Sequence, residues 1–245
     1  MKVIFHYAAG QELARRLAAL RSRGLDISVI APADDAAFAA ALPDCDVLWH
    51  VLKPATAAVM AAAPRLRLIQ KMGAGVDTID LAAARQRGIS VCNLPGTNSQ
   101  AVAEHALALM LAVLRKVPQF DQETRAGKGW AWPQERQAQL GEIHGRTVGL
   151  AGYGATASRL APVLLALGAE VIAWSRSEPA GSPVRFVSFD ELVERSDIVS
   201  LHLPLNDTTR NLFDADRLAR MKRGAVLINT ARGGLVEPQA LVAAL

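Results

Sequence analysis

Two short runs hold residues whose types and spacing could do chemistry. In Val148-Gly149-Leu150-Ala151-Gly152-Tyr153-Gly154-Ala155-Thr156-Ala157, a G-x-G-x-x-A pattern follows a strand-like stretch and opens a helix-like one, and that setting makes the pattern informative. Gly152 permits a tight turn, Gly154 lets the backbone approach a pyrophosphate, and the small Ala157 lets helix pack on strand. The turn through Tyr153, Gly154, Ala155 and Thr156 thereby brings a helix N-terminus to the phosphates of a dinucleotide. An ordinary Gly-rich strand-to-helix turn is the plainer alternative. In the second run, Val171-Ile172-Ala173-Trp174 is followed by Ser175-Arg176-Ser177, where an acidic residue would bond the ribose 2′-hydroxyl of NAD. That acid is absent. Ser175 and Arg176 put a hydroxyl and a guanidinium where a carboxylate would repel a 2′-phosphate, so NADP(H) is favoured over NAD(H). Glu170 sits before this strand, at the wrong end of the sheet, and Arg176 by itself also reads as a solvated surface charge. Trp174 is expected beside the adenosine ribose.

The elements that must position these residues follow from hydrophobic periodicity. Expected strands at 2–6, 27–30, 47–50, 68–70 and 90–93 alternate with helices at 11–23, 34–42, 56–62 and 81–87, the rhythm of a parallel sheet with crossover helices. The turn chemistry of Leu94-Pro95-Gly96-Thr97-Asn98-Ser99 leads into a long apolar helix at about 99–115, with Ser99 as its N-cap. A polar stretch with Gly127, Gly129, Trp130, Trp132 and Pro133 runs to Gly145. Strands are then expected at 147–151, 171–174, 184–187, 198–203 and 225–229, helices at 155–167, 189–195 and 214–221, and the start of a helix at 238–245. The fold class is α/β: a flavodoxin-like substrate domain over 1–97, then a Rossmann-type doubly wound nucleotide-binding domain over 98–245 that is incomplete, with five strands where the usual plan has six.

A chain of 245 residues has room for two such domains. Its apolar stretches are broken every few residues by Arg, Asp, Gly or Pro, and none reaches the roughly 20 residues of a membrane span. Met1-Lys2-Val3-Ile4-Phe5 enters a strand without the layout of a signal peptide. No membrane partner is expected, and the expected location is cytoplasmic. Cys45 and Cys92 lie far apart without a paired Cys or His, which points away from zinc and from a disulfide framework; no metal is expected. The net charge of +4 comes from scattered Arg, which argues against nucleic acid and suits a small anionic substrate.

In order and spacing, and over essentially the whole chain, Gly73-Ala74-Gly75-Val76-Asp77, Val102-Ala103-Glu104-His105, the Gly152 loop, His202-Leu203-Pro204 and Asn229-Thr230-Ala231-Arg232-Gly233-Gly234 together resemble the D-isomer-specific 2-hydroxyacid dehydrogenase family. Its members include glyoxylate/hydroxypyruvate reductases and phosphoglycerate dehydrogenases. The resemblance implies reduction of a small 2-oxo acid, which needs a hydride donor, a cationic clamp for the carboxylate and a proton donor. It assigns the clamp to Arg232, whose planar fork at the carboxyl end of a strand suits a carboxylate and the neighbouring carbonyl. The N–H groups of Ala74, Gly75 and Val76 are expected to face the same carboxylate, since Gly-rich turns expose amides to anions; a plain turn capped by Asp77 is the alternative. Thr97, His202, Pro204, Thr209, Thr230 and Ala231 match cofactor-lining positions. Lys53 either attracts an anionic substrate or is a solvated lysine. A homodimer is also implied, with the long apolar helix and the Trp130/Trp132 arm as its surface.

The proton donor should be a His held by a carboxylate, and none of the five His fits. His105 falls inside the long helix, His144 precedes the nucleotide domain, His6 and His50 end strands, and the resemblance gives His202 a cofactor-lining role. In the family the Glu and His of the acid–base pair come later in the chain, so a C-terminally truncated chain, inactive alone, is expected. Thr156 and Ala157 also replace the bulkier aliphatic and the Gly of the family loop. The expected function is D-specific hydride transfer between NAD(P) and a small 2-oxo or 2-hydroxy acid, with glyoxylate or hydroxypyruvate first. The alternative is a dinucleotide-sensing, non-catalytic binding protein of corepressor type on the same scaffold.

Overall fold

Short runs rich in β-branched residues become strands that pair in parallel, because each crossover helix returns the chain in the same direction. In the computed structural model, which describes residues 1–129 and 133–245, they do so in two compact units, Met1–Thr97 and Asn98–Leu245. The first unit contains β1 (Lys2–His6), α1 (Gln11–Ala19), β2 (Asp26–Ile30), α2 (Asp35–Ala41), β3 (Val47–His50), α3 (Ala57–Ala61), β4 (Leu68–Lys71), α4 (Leu81–Gln86) and β5 (Ser90–Cys92). Its strand order, β2-β1-β3-β4-β5, all parallel, is the flavodoxin-like arrangement. Ile4, Leu48 and Ile69 of the central strands pack with Phe38, Met60 and Ala84 of the helices.

The second unit contains α5 (Ser99–Leu114), α6 (Val117–Arg125), α7 (Gln134–Gln137), β6 (Thr147–Ala151), α8 (Ala157–Ala166), β7 (Glu170–Trp174), β8 (Arg185–Phe186), α9 (Phe189–Arg195), β9 (Ile198–Leu201), α10 (Ala215–Arg220), β10 (Val226–Asn229) and α11 (Pro238–Ala244). The parallel order β10-β9-β6-β7-β8 is the doubly wound plan. Both faces are covered, so the strands are apolar throughout. Val148 and Leu150 face Ala106, Met110, Leu160 and Leu164 of α5 and α8, while Ala151, Ile172 and Val199 face Leu192, Leu218 and Ala240 of α9, α10 and α11. In α8 the buried Ala157, Leu160, Ala161 and Leu164 follow the i, i+3, i+4, i+7 spacing of a single helical stripe. No helix among the described residues is long and apolar enough to cross a membrane.

The same device ties down the amino edge of each sheet. The Asp46 carboxylate accepts the N–H of Lys2 at 2.8 Å, and the Asp197 carboxylate accepts the N–H of Thr147 at 2.8 Å. Each aspartate precedes one strand and holds the first amide of its neighbour.

The structure departs from expectation at several ends. Ser99 is not the N-cap of the long helix: Asn98 occupies that place without a side-chain bond, and Ser99 is the first helical residue, buried. The strand expected to reach residue 203 stops at Leu201, before Pro204, which has no N–H to pair. The helices α6 and α7 arise in the stretch that reads as polar connection; neither buries a residue, so neither carries an apolar periodicity. Trp130 and Trp132 lie outside the described residues.

Gly149 in β6 has no room for a side chain: an added Cβ would collide with Ser196 Oγ and stand 2.9 Å from Leu192. Gly149→Ala is therefore expected to destabilise the second unit by about 1–3 kcal/mol through overpacking. Urea unfolding reads this directly, and an unchanged midpoint would show that α9 yields without cost.

Candidate functional site

In the second sheet the chain runs outward from β6 through β7 to β8, then crosses to β9 and β10. The crevice for a ligand in such a sheet lies at the carboxyl ends of the strands where the order reverses, here between β6 and β9. Gly152 ends β6 at φ +97°, donates its N–H to the Trp174 carbonyl at 2.9 Å, and would place a Cβ 2.5 Å from the His202 carbonyl oxygen. Only glycine fits that backbone and that space. A Cβ at Gly154, in contrast, meets nothing within 4 Å, and Ala157, the first residue of α8, is wholly buried. Among the described residues no hydrogen bond takes the N–H groups of Tyr153, Gly154, Ala155 or Thr156. An open glycine beside unclaimed amides at a helix N-terminus suits a pyrophosphate. Tyr153 is buried edge-on against Phe186, ring centroids 5.3 Å apart.

The strand ends beside this turn carry the other expected residues. The N–H of His202 donates to the Ala151 carbonyl at 2.8 Å, and its ring Nε2 lies 2.9 Å from Ser200 Oγ. Burial pushes the imidazole down to about 4, so the ring is neutral near neutral pH. Thr209 closes its own loop, donating to the Pro204 carbonyl at 2.7 Å and accepting the N–H of Asn206 at 2.9 Å. Ser175 and Arg176 follow β7 at its carboxyl end, half-buried and exposed respectively, and among the described residues no hydrogen bond or ion pair engages either side chain. Trp174 packs at 4.9 Å on Phe189. Glu170 opens β7 at the opposite edge, paired with Arg195 at 3.3 Å.

The loop after β10 and one face of α5 enclose a cleft of about 530 Å³, lined among others by Asn98, Val102, His105, Thr230, Ala231 and Arg232. Asn229 shapes the loop: its side chain donates to the Arg232 carbonyl at 2.9 Å and accepts the N–H of Ala231 at 3.1 Å. Arg232 is half-buried, with Nη1 donating to the Ala231 carbonyl at 2.9 Å. Thr230 Oγ1 is buried without a hydrogen-bond partner among the described residues, an atom that a ligand's polar group would satisfy. Asn98, His105 and Asn229 were not singled out from sequence as lining or shaping this cleft. The spacing of Asn98, Val102 and His105, four and then three residues apart, was the signal that they share a helix face.

In the first unit, Ala74, Gly75 and Val76 form the turn after β4. The Asn93 side chain donates to the Ala74 carbonyl at 2.7 Å, and the Ile79 N–H donates to the Val76 carbonyl at 2.9 Å. Among the described residues no hydrogen bond takes the three N–H groups of this turn. Thr97 donates its hydroxyl to the Leu94 carbonyl at 3.1 Å. Lys53 is not a merely solvated lysine, since it donates to the Pro32 carbonyl at 3.1 Å and pairs with Asp35.

Residues 107–245 match the family model for the NAD binding domain of D-isomer specific 2-hydroxyacid dehydrogenases. The chain is 38% identical over 205 residues to a hydroxypyruvate reductase of Thermotoga maritima, covering 82% of this chain and 65% of that protein. It is 39% identical over 216 residues to a D-3-phosphoglycerate dehydrogenase of Mycobacterium leprae, covering 84% of this chain and 39% of the relative. An NAD-dependent formate dehydrogenase from Staphylococcus aureus, solved in complex with NAD, superposes with a TM-score of 0.91 at 30% identity, covering 100% of this chain and 78% of that one. The chain thus spans less than two thirds of the length of these curated relatives.

The two glycines of the turn should separate in experiment. Gly152→Ala is expected to lower both thermal stability and dinucleotide affinity, because its Cβ strikes the protein. Gly154→Ala should keep the melting temperature and weaken binding about tenfold or more, because its Cβ meets only a bound pyrophosphate. Equal binding by wild type and Gly154→Ala would remove the pyrophosphate from this turn. His202 gives a pH signature. Its folded value near 4 lies below the ordinary 6.5, so the unfolded chain binds the proton first and stability falls as pH drops from about 6.5 towards 4. His202→Gln is expected to flatten that part of the stability profile, and an imidazole that titrates near 6.5 by NMR would contradict the assignment.

Proposed function

Because this chain belongs to the D-isomer-specific 2-hydroxyacid dehydrogenase family, whose nucleotide domain binds a nicotinamide cofactor, we propose that it serves D-specific reduction of a small 2-oxo acid, glyoxylate or hydroxypyruvate first, with NADP(H) preferred over NAD(H). The observation that carries this reading is the half-buried Arg232 in a cleft beside the unpartnered Thr230 hydroxyl, on the same strand edge as the Gly152 turn. Bound there, the nicotinamide would supply the hydride. The turn from Gly152 to Thr156 holds the pyrophosphate on its amides, and His202, Pro204 and Thr209 shape the wall next to it. Arg232 orients the substrate carboxylate with its planar fork, set in place by Asn229. The amides of Ala74, Gly75 and Val76 are the first unit's anion-binding element.

His202 holds the crevice rather than delivering the proton, since its ring is neutral and bonded to Ser200 of the strand just before it. The preference for the 2′-phosphate rests on Ser175 and Arg176, whose side chains have no partner among the described residues and follow the strand that carries the ribose in this fold. Association into a homodimer is proposed with Leu111 and Val113 of α5 and Val117 of α6, aliphatic side chains exposed where the two helices meet.

Titration of Trp fluorescence with both cofactors tests the first part: NADPH should quench at lower concentration than NADH, and NADH binding at least as tightly would reverse the assignment of Arg176. Calorimetry with glyoxylate on the cofactor-bound protein tests the second. Arg232→Met is expected to weaken binding about tenfold or more, since a hydrogen bond to a charged group is worth roughly 1.5–3 kcal/mol; undiminished affinity would move the clamp elsewhere.

A further inference from the structure

The stretch that forms β6, the turn and α8 is almost without charge. From Thr147 to Ala169 the one charged residue is Arg159, the third residue of α8. It stands in the helix's first turn, where the aligned peptide dipoles leave about half a positive elementary charge, so a cation is disfavoured there and an anion favoured. A guanidinium kept at that end weakens the helix as long as no anion faces it.

The side chain reaches back to the turn. In an α-helix each side chain leans towards the N-terminus, over the residue four positions earlier, and here that residue is Ala155. Arg159 Nη1 donates to the Ala155 carbonyl at 2.6 Å, an oxygen that Ser158 Oγ also reaches at 3.3 Å. Ala155 and Arg159 are both exposed, and the methyl of Ala155 leaves the approach to its own amide open. Among the described residues no carboxylate pairs with Arg159. Of the five N–H groups of a guanidinium, the Ala155 carbonyl engages one and the rest have no acceptor among those residues.

Charge balance sets what those donors are for. The amides of Tyr153, Gly154, Ala155 and Thr156 are neutral, and the helix end adds only about half a charge, whereas a dinucleotide brings a negative charge on each phosphate. A planar guanidinium bonds a phosphate through two parallel N–H groups. With that anion in place the sign of the interaction reverses: the cation that repels the bare helix end becomes the second half of a clamp. Arg176 has a different place, beyond Trp174 at the end of β7, on the ribose side of the turn.

We infer that Arg159 binds the cofactor's pyrophosphate from the exposed side of α8, a contact common to NAD(H) and NADP(H), which leaves Ser175 and Arg176 to choose between the two. This rests on the reading that the Gly152 turn holds a dinucleotide.

The test is calorimetry of the wild-type chain and Arg159→Gln with NADH and with NADPH, glutamine being an equally good helix former without the charge. Both affinities should fall about tenfold or more and by the same factor, the scale of one hydrogen bond to a charged group. The wild-type affinity should also fall more steeply with added salt than the variant's. The melting temperature without ligand should hold or rise, because a cation leaves the positive end of α8. Arg159→Lys should keep part of the affinity, since its ammonium retains the charge without the fork. Unchanged affinity of Arg159→Gln for both cofactors overturns the inference and leaves the turn standing. A loss confined to NADPH overturns it too, by putting Arg159 on the 2′-phosphate, and so does a lower melting temperature of the ligand-free variant, the mark of a structural arginine. Binding of neither cofactor by the wild-type chain overturns the dinucleotide reading with it.

Discussion

The end of β6 comes within bonding reach of both β7 and β9 only because residue 152 has no side chain. Its N–H reaches the Trp174 carbonyl, the neighbouring Ala151 carbonyl accepts the N–H of His202, and the His202 oxygen occupies the place a Cβ would need. That triple convergence decides where the crevice opens and which way α8 leaves the sheet. It also decides which amides face outward at its start. The wholly buried Ala157 and the crowded Gly149 extend the same constraint along the strand and into the helix: in this corner the backbone elements touch, and side chains are excluded.

The two ends of each sheet have different physical jobs. At the amino edges, Asp46 and Asp197 take the first amide of the neighbouring strand. The Lys2 amide and Arg65 hold the Asp46 carboxyl below the usual range, and for Asp197 the bonds from Lys222 and Thr147 outweigh a burial that acts the other way. Carboxylates held low contribute stability above their unfolded value and lose it as pH falls through the folded one. At the carboxyl edges, among the described residues, no carboxylate takes a neighbouring strand's amide in this way. There, among the described residues, the amides of residues 74–76 and 153–156, the Thr230 hydroxyl, His6 Nε2 and the ring nitrogens of His50 have no hydrogen-bond partner. The molecule concentrates its unsatisfied polar groups where parallel α/β sheets receive ligands.

Much of this was legible in the amino-acid sequence because it depends on local chemistry. Period-2 and period-3.6 apolar patterns located the strands of both sheets to within a residue or two, and Gly152, Gly154 and Ala157 announced their turn by residue type alone. The helices over residues 117–125 and 134–137 escaped notice because nothing in them is buried, so no periodicity marked them. Ser99 reads as a good cap by type, yet the chain enters the helix one residue earlier and buries it. Lys53 reads as solvated, yet Asp35 and the Pro32 carbonyl claim it.

What the sequence determined by itself was the strands and the helices that bury a face, the turn glycines and the family, since each rests on spacing along the chain. What only the tertiary structure decided was company. Strand order brought His202 against Gly152, register aligned His6, His50 and Lys71 on three strands far apart in sequence, and the packing of α5 beside β10 put His105 and Arg232 on one cleft. The physical reason is that burial and partnership are properties of neighbours in space. A histidine at the end of a strand reads the same in the sequence whether its ring ends up solvated, bonded to a neighbour as in His202, or buried as in His50.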